Sequence, residues 1–167
     1  MRFRHPQMED GSDLWRLVGD AGTLELNSAY TYVLMATHFA DTCLLAESDE
    51  GEPLGFVVAY RPPTHPEAVF VWQVAVAPEA RGQGLGRRLL EELVARTAED
   101  GVRYLEATVT PDNEPSRKLF RSFARELDTE CRVEDFMGQE VFPQDHEAED
   151  LFRIGPIEGS AFEALAS

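Results

Sequence analysis

The sequence predicts an α/β domain of mixed type, a central sheet flanked by helices with one right-handed parallel crossover near its middle. Three observations carry this reading. Runs rich in β-branched and aromatic residues alternate with stretches whose apolar residues recur at helical spacing. The run VFVWQVAV at 69–76 leads through a glycine-punctuated segment and an amphipathic stretch to YLEATV at 104–109, the pattern of strand, crossover helix and parallel strand. Finally, 167 residues with 43% hydrophobic content suit one compact core. One domain is expected over residues 1–157, followed by a short C-terminal tail at 158–167.

The elements follow in order. FRH at 3–5 reads as a short strand, and SDLWRLVGDAG carries Leu14, Leu17 and Val18 at helical spacing before a glycine stop. Asn27 or Ser28 can cap a second helix through YTYVLMATHF. TCLLAES and PLGFVVAYR flank the turn DEGE as an antiparallel hairpin, and PPTHPEA is a proline-rich loop. Strand 69–76, helix 84–99 and strand 104–109 make the crossover, and residues 113–126 read as a further helix. CRVEDF and LFRIGPI are weaker strand candidates in the tail from Cys131 to Ile157, giving the order βααβββαβαββ.

Composition excludes some partners. With 31 acidic against 15 basic residues the formal net charge is -16, which opposes binding to nucleic acid or to an anionic membrane. Such a charge favours cationic small molecules, or else only keeps the surface solvated, as at high salt. No segment reaches the ~20 apolar residues of a membrane span. The start MRFRHPQMEDG lacks the apolar core of a secretion signal, so a cytoplasmic location is expected. Cys43 and Cys131 form no CxxC or metal-binding spacing and are expected to be reduced, without a disulfide or a metal.

The segment VAVAPEARGQGLGRRLL joins a strand to a helix through glycines at 82, 84 and 86, with Arg81, Arg87 and Arg88 beside them. The first N–H groups of a helix lack intrahelical partners, and glycine lets the backbone approach a ligand closely. An anion such as a diphosphate is the natural guest. A dinucleotide fingerprint with Glu106 as the ribose acid fits poorly. The glycines run GxGxG, Arg87 stands where the third glycine belongs, APEA intervenes after the strand, and a second βαβ half is missing. The alternative pattern RxxGxG is met in full by Arg81, Gly84 and Gly86 directly after a strand.

In these residues the chain resembles the GCN5-related N-acetyltransferase (GNAT) superfamily, whose acetyl-CoA signature is a strand, a Q/RxxGxG/A loop and a helix. NEPSRKLF at 113–120 resembles the family's later element, an Asn opening a helix beside the CoA arm. The resemblance implies a GNAT fold with acetyl-CoA at the splayed parallel strands. The Val74 and Val76 amides, flanking Ala75, would align the acetyl-pantetheine like an added strand. The segment Arg81, Gly82, Gln83, Gly84, Leu85, Gly86 and Arg87 would hold the pyrophosphate, with Asn113 beside the arm. LELNSAYTY, THFADTC, GFVVAYRPP, FVWQVAV, YLEATVTPDNEPSR and HEAEDLFRIGP are together similar to the diaminobutyrate acetyltransferases of ectoine biosynthesis, where LDLNS is commoner than LELNS. That similarity implies acetyl transfer to the γ-amine of L-2,4-diaminobutyrate, no metal, and a homodimer. The same fold acting on a polyamine or aminoglycoside, and a nonenzymatic CoA- or NAD-binding module, are the competing readings.

The chemistry needs a neutral amine, a polarised thioester, a stabilised oxyanion and a departing thiolate. Strand alternation puts Tyr104, Glu106 and Thr108 on one face. Glu106 is therefore the candidate base and ammonium partner, or it pairs with a structural Arg or Lys. Trp72 offers a cation–π face for an aminoalkyl chain, or plain core packing. Glu25, Asn27, Tyr30 and Thr108 are candidates for the acceptor pocket, although Asn27 can equally cap its helix and Tyr30 can equally pack. His146 is either a contact for the substrate carboxylate and a proton carrier or a solvated loop residue. Phe120 stands where many superfamily members carry a Tyr that protonates the thiolate, so no general acid is assigned. Cys43 has no base placed near it by sequence and is a poor candidate nucleophile.

Overall fold

The structure, a computed structural model, describes residues 1–22, 24–143 and 145–159. The expected tail at 158–167 therefore lies almost wholly outside the described residues. The elements are β1 (Arg2–Arg4), α1 (Gly11–Ala21), α2 (Ala29–His38), β2 (Leu44–Glu47), β3 (Pro53–Tyr60), β4 (Ala68–Val76), α3 (Leu85–Thr97), β5 (Tyr104–Val109), α4 (Glu114–Glu126), β6 (Cys131–Met137) and β7 (Glu149–Ile154). Their order matches the expected βααβββαβαββ. No helix among the described residues is long and apolar enough to cross a membrane.

α1, α3 and α4 form with one face apolar at helical spacing, while α2 is apolar over most of its surface and buries one side. Leu14, Leu17 and Val18 bury the inner face of α1, which stops at Gly22 with φ 69°. Tyr32, Met35 and Ala36 do the same for α2. Ser28, not Asn27, occupies its N-cap, and the Ser28 hydroxyl bonds Thr31 at 3.1 Å instead of a backbone N–H. Leu85, Leu89, Leu90, Leu93 and Val94 bury α3. On α4, Phe120, Phe123 and Ala124 are buried, and the Asn113 side chain caps the helix by accepting the Ser116 N–H at 3.2 Å. Phe120 is thus a core residue, its ring 6.0 Å from that of Phe152.

The seven strands form one sheet in the order β1-β2-β3-β4-β5-β7-β6. β4 and β5 are its parallel pair and the remaining neighbours run antiparallel. The insertion of β7 between β5 and β6 is not readable from chain order, and it brings residues after 148 next to the centre of the sheet. β7 ends at Ile154, earlier than expected, because Gly155 takes φ 138° and Pro156 cannot donate to a ladder. Gln73 meets Tyr32 of α2 while Val76 faces Gly86 at the start of α3, so α2 and α3 lie on opposite faces of β4. Cys43 is fully buried with its thiol donating to the Ala59 carbonyl, and burial pushes that thiol up to about 12, which disarms it as a nucleophile.

Candidate active site

The site forms where β4 leaves β5. Parallel pairing runs from Ala68↔Tyr104 to Val71↔Ala107 and goes no further. On the other side of β4, Val58 opposes Gln73 and Ala59 opposes Val71, which makes Trp72 the extra residue of a bulge. A bulge bends its strand and increases the local twist. The C-terminal half of β4 accordingly swings away from β5 while staying paired to β3 through Val76↔Gly55.

This opening exposes backbone groups. The Ala77 N–H donates to Leu54 O at 2.8 Å on the β3 side, so by two-residue alternation the polar groups of Val74 and Val76 face the gap. Consistently, the Val76 carbonyl accepts Arg81 Nε at 3.2 Å. A cavity of about 240 Å³ lies there, bounded by Val74, Ala75, Val76, Arg81, Gly86 and residues of α1 and α4. Next to it, Gly82 and Gly84 take φ 73° and 74°, left-handed values that favour glycine, and they turn the chain into α3. The first helical bond runs from Arg88 N to Gly84 O at 3.1 Å, so the N–H groups of Leu85, Gly86 and Arg87 have no intrahelical partner. Free strand amides beside a helix N-terminus fit a ligand with an amide-bearing arm and a diphosphate.

The two arginines of this loop differ. Arg81 reaches into the cavity, and its Nη2 donates to Asp20 O at 2.9 Å. Arg87 is held by Glu126 at 2.6 Å and Glu91 at 3.2 Å, and these carboxylates raise its guanidinium further above its ordinary value. Gly82, Gln83, Gly84, Leu85 and Arg87 form the turn beside the cavity and are not part of its wall.

A larger cavity of about 600 Å³ adjoins the first, the two sharing Leu24 and Pro115. Glu25, Asn27, Trp72, Thr108, Asn113 and His146 all line it. So do four carboxylates that sequence reasoning missed, Asp112, Asp145, Glu147 and Glu149. The Thr110 hydroxyl, at 2.5 Å, and then Glu147 hold the Asp112 carboxyl below its usual range, while Asp112 pushes Glu147 up. Burial pushes Glu149 up as well, against the pull of nearby His146 and a hydrogen bond from Thr108. His146 donates Nδ1–H to Glu147 O at 2.6 Å and stacks on Phe142 with ring centroids 4.0 Å apart. This turns Nε2 toward Glu25 at 3.7 Å and Glu149 at 3.8 Å. The result is a concave site rich in negative charge, suited to an amine.

Two expected acceptor residues stand elsewhere. Tyr30 is 72% exposed on the outer side of α2 and does not line the cavity. Glu106 is buried, but the antiparallel register places Arg153 directly opposite, and Arg153 Nη1 donates to its carboxylate. Arg153 also contacts Glu67 at 3.3 Å and lies 3.9 Å from the centroid of the Tyr104 ring. Glu106 is therefore part of an ion-pair cluster and is not among the residues that line the cavity, the pairing with an arginine that the sequence offered beside the role of base.

The acetyltransferase (GNAT) family pattern matches residues 13–124. The chain is 47% identical over 156 residues to the L-2,4-diaminobutyric acid acetyltransferase of Marinococcus halophilus, covering 93% of this chain and 90% of the relative. It is 46% identical over 153 residues to that of Halalkalibacterium halodurans, covering 91% and 80%. Among solved structures it resembles diaminobutyrate acetyltransferase EctA from Paenibacillus lautus in complex with its substrate L-2,4-diaminobutyric acid and coenzyme A. The TM-score there is 0.87 at 44% identity, covering 95% of this chain and 96% of the other. The chain belongs to the acetyltransferase (GNAT) family and, within it, to the L-2,4-diaminobutyric acid acetyltransferases.

Proposed function

We propose that the protein transfers the acetyl group of acetyl-CoA to the γ-amine of L-2,4-diaminobutyrate, a step of ectoine biosynthesis. One observation carries this reading, the acid-lined cavity of about 600 Å³ that opens onto the splayed end of β4. Acetyl-CoA supplies an activated acyl thioester. The chain's own residues do the rest. The N–H groups of Val74 and Val76 align the coenzyme arm, and those opening α3 receive its diphosphate, with Arg81 adding charge. Asn113 caps α4 and lines the wall between the two substrates.

Diaminobutyrate carries two ammonium groups and one carboxylate, so its net positive charge is opposite in sign to a cavity with five carboxylates and one histidine. Glu25, Asn27 and His146 hold the α-amino acid head, and the methylene arm runs along Trp72. The γ-ammonium then reaches Glu149, whose raised carboxyl is better matched than an ordinary one to take a proton from an amine. Glu106 anchors Arg153 and supports the sheet beneath. We further propose a homodimer, readable by light scattering, acting in the cytoplasm where acetyl-CoA is made. A CoA-release assay over an amine panel tests the function. Diaminobutyrate should exceed polyamines and aminoglycosides by at least ~10²-fold in kcat/KM, the scale on which misplaced nucleophiles lose rate. Preference for a polyamine would replace the proposed substrate.

A further inference from the structure

The acceptor segment 25–28 has no ladder or helix of its own, and Glu25 and Leu26 are exposed. Core packing therefore does not fix it. Among the described residues, three hydrogen bonds tie it to the rest of the fold. Gln73 Nε2 donates to Glu25 O at 2.8 Å, the Asn27 N–H donates to Tyr32 Oη at 3.4 Å, and Trp15 Nε1 donates to Asn27 O at 3.1 Å. The first two tethers are joined, because Tyr32 Oη donates to Gln73 Oε1 at 2.9 Å. Tyr32 is fully buried and Gln73 is 6% exposed.

A buried amide needs partners for both of its ends, and only one orientation of Gln73 meets a hydroxyl donor with its oxygen and a carbonyl with its nitrogen. The pair is also fixed from the sheet side. Gln73 follows the bulge residue Trp72, whose ring stacks on Tyr32 at 5.8 Å. The bulge that opens the coenzyme gap and the segment that presents Glu25 are thus joined through one buried hydrogen bond. We propose that Tyr32 and Gln73 are positioning residues, which hold the Glu25–Asn27 segment at a set distance from the splayed end of β4 and so set the reach of the acceptor amine. This rests on the acceptor-cavity reading given above.

The test uses the full-length enzyme and follows the Michaelis constants of the two substrates separately. Gln73→Met keeps length but can neither accept from Tyr32 nor donate to Glu25 O. It should raise KM for diaminobutyrate ~10-fold while KM for acetyl-CoA moves less than about twofold, since loss of register acts on one substrate only. Trp15→Phe removes the outer tether from a side chain that is 38% exposed, where folding is not at stake, and should raise the same KM by ~3-fold. In a Glu25→Gln background the Gln73→Met effect should shrink to less than about twofold, because loosening a segment that no longer binds costs little. Equal rises in both Michaelis constants would identify mere support of the fold and overturn the proposal. So would wild-type KM for diaminobutyrate in Trp15→Phe together with Gln73→Met or, should the latter not fold, in Trp15→Phe alone. If Glu149→Gln leaves turnover of diaminobutyrate unchanged, the cavity reading itself fails. If Glu149→Gln is crippled while the tether variants behave as wild type, only the positioning role fails.

Discussion

The two halves of the cleft are built on different principles. The coenzyme half consists of backbone held by regular structure, the C-terminal end of β4, two left-handed glycines and the first turn of α3. The acceptor half adds to Trp72 and Gln73 of β4 the side chains of segments 24–27, 108–113 and 145–149, most of which lie outside helices and strands. A half made of amides suits a ligand common to many enzymes. A half made of side chains can change its substrate without disturbing the sheet.

Substitutions can break this contrast, and the largest effect is expected on the coenzyme side. Gly84→Asp puts a side chain on a residue at φ 74° and a negative charge at the mouth of α3. Asp tolerates left-handed backbone better than most residues, so the fold should survive. Acetyl-CoA affinity measured by calorimetry should fall by ~10²-fold or more, whereas unchanged affinity in a folded protein would remove the loop from coenzyme binding.

On the acceptor side, Glu149→Gln should lower kcat/KM for diaminobutyrate by ~10²-fold with little change in acetyl-CoA binding. The pH profile sharpens this. A base must be ionised, so wild-type activity should fall as pH drops through the raised carboxyl of Glu149, and that limb should vanish in the variant. Stability moves the opposite way. Because the folded state binds this proton more tightly than the unfolded chain, the group destabilises the fold fully above its raised value and not at all below the ordinary one. Glu149→Gln should therefore lose activity and gain Tm at neutral pH, and a fall in both would assign Glu149 a structural role.

Glu106→Gln should have the smallest effect on turnover, within about threefold, and a visible one on stability. Removing one partner of a buried ion pair costs up to ~3–5 kcal/mol, less here because Arg153 is a quarter exposed and retains Glu67. A ~10²-fold loss of kcat/KM with unchanged Tm would return the base to Glu106.

The coenzyme half was legible because it follows from local rules. Hydrophobic period, a glycine pattern and the place of a helix N-terminus are all contained within residues 69–94. The acceptor half depends on which distant segments meet. Glu149 is one acid among several in HEAED until β7 enters between β5 and β6, and this is a matter of sheet order. Glu106 looked solitary because Arg153, its partner across the antiparallel register, is 47 residues away. Gln73 left a usable sign, a lone polar residue within the apolar run VFVWQVAV. A tyrosine beside Asn27 can line a pocket or face solvent, and the helical phase of α2 turns Tyr30 outward while burying Tyr32.

The central claim is that an acid-lined pocket presents the γ-amine of diaminobutyrate to acetyl-CoA. NMR of the product formed from acetyl-CoA and L-2,4-diaminobutyrate tests it most directly, because the methylene next to the acetylated nitrogen identifies the site of transfer. The expected product carries its acetyl group on the γ-nitrogen with the α-amine free, and diaminopropionate, shorter by about one carbon–carbon bond, should react ~10²-fold more slowly. A predominantly α-acetylated product, or faster turnover of ornithine than of diaminobutyrate, would contradict the account.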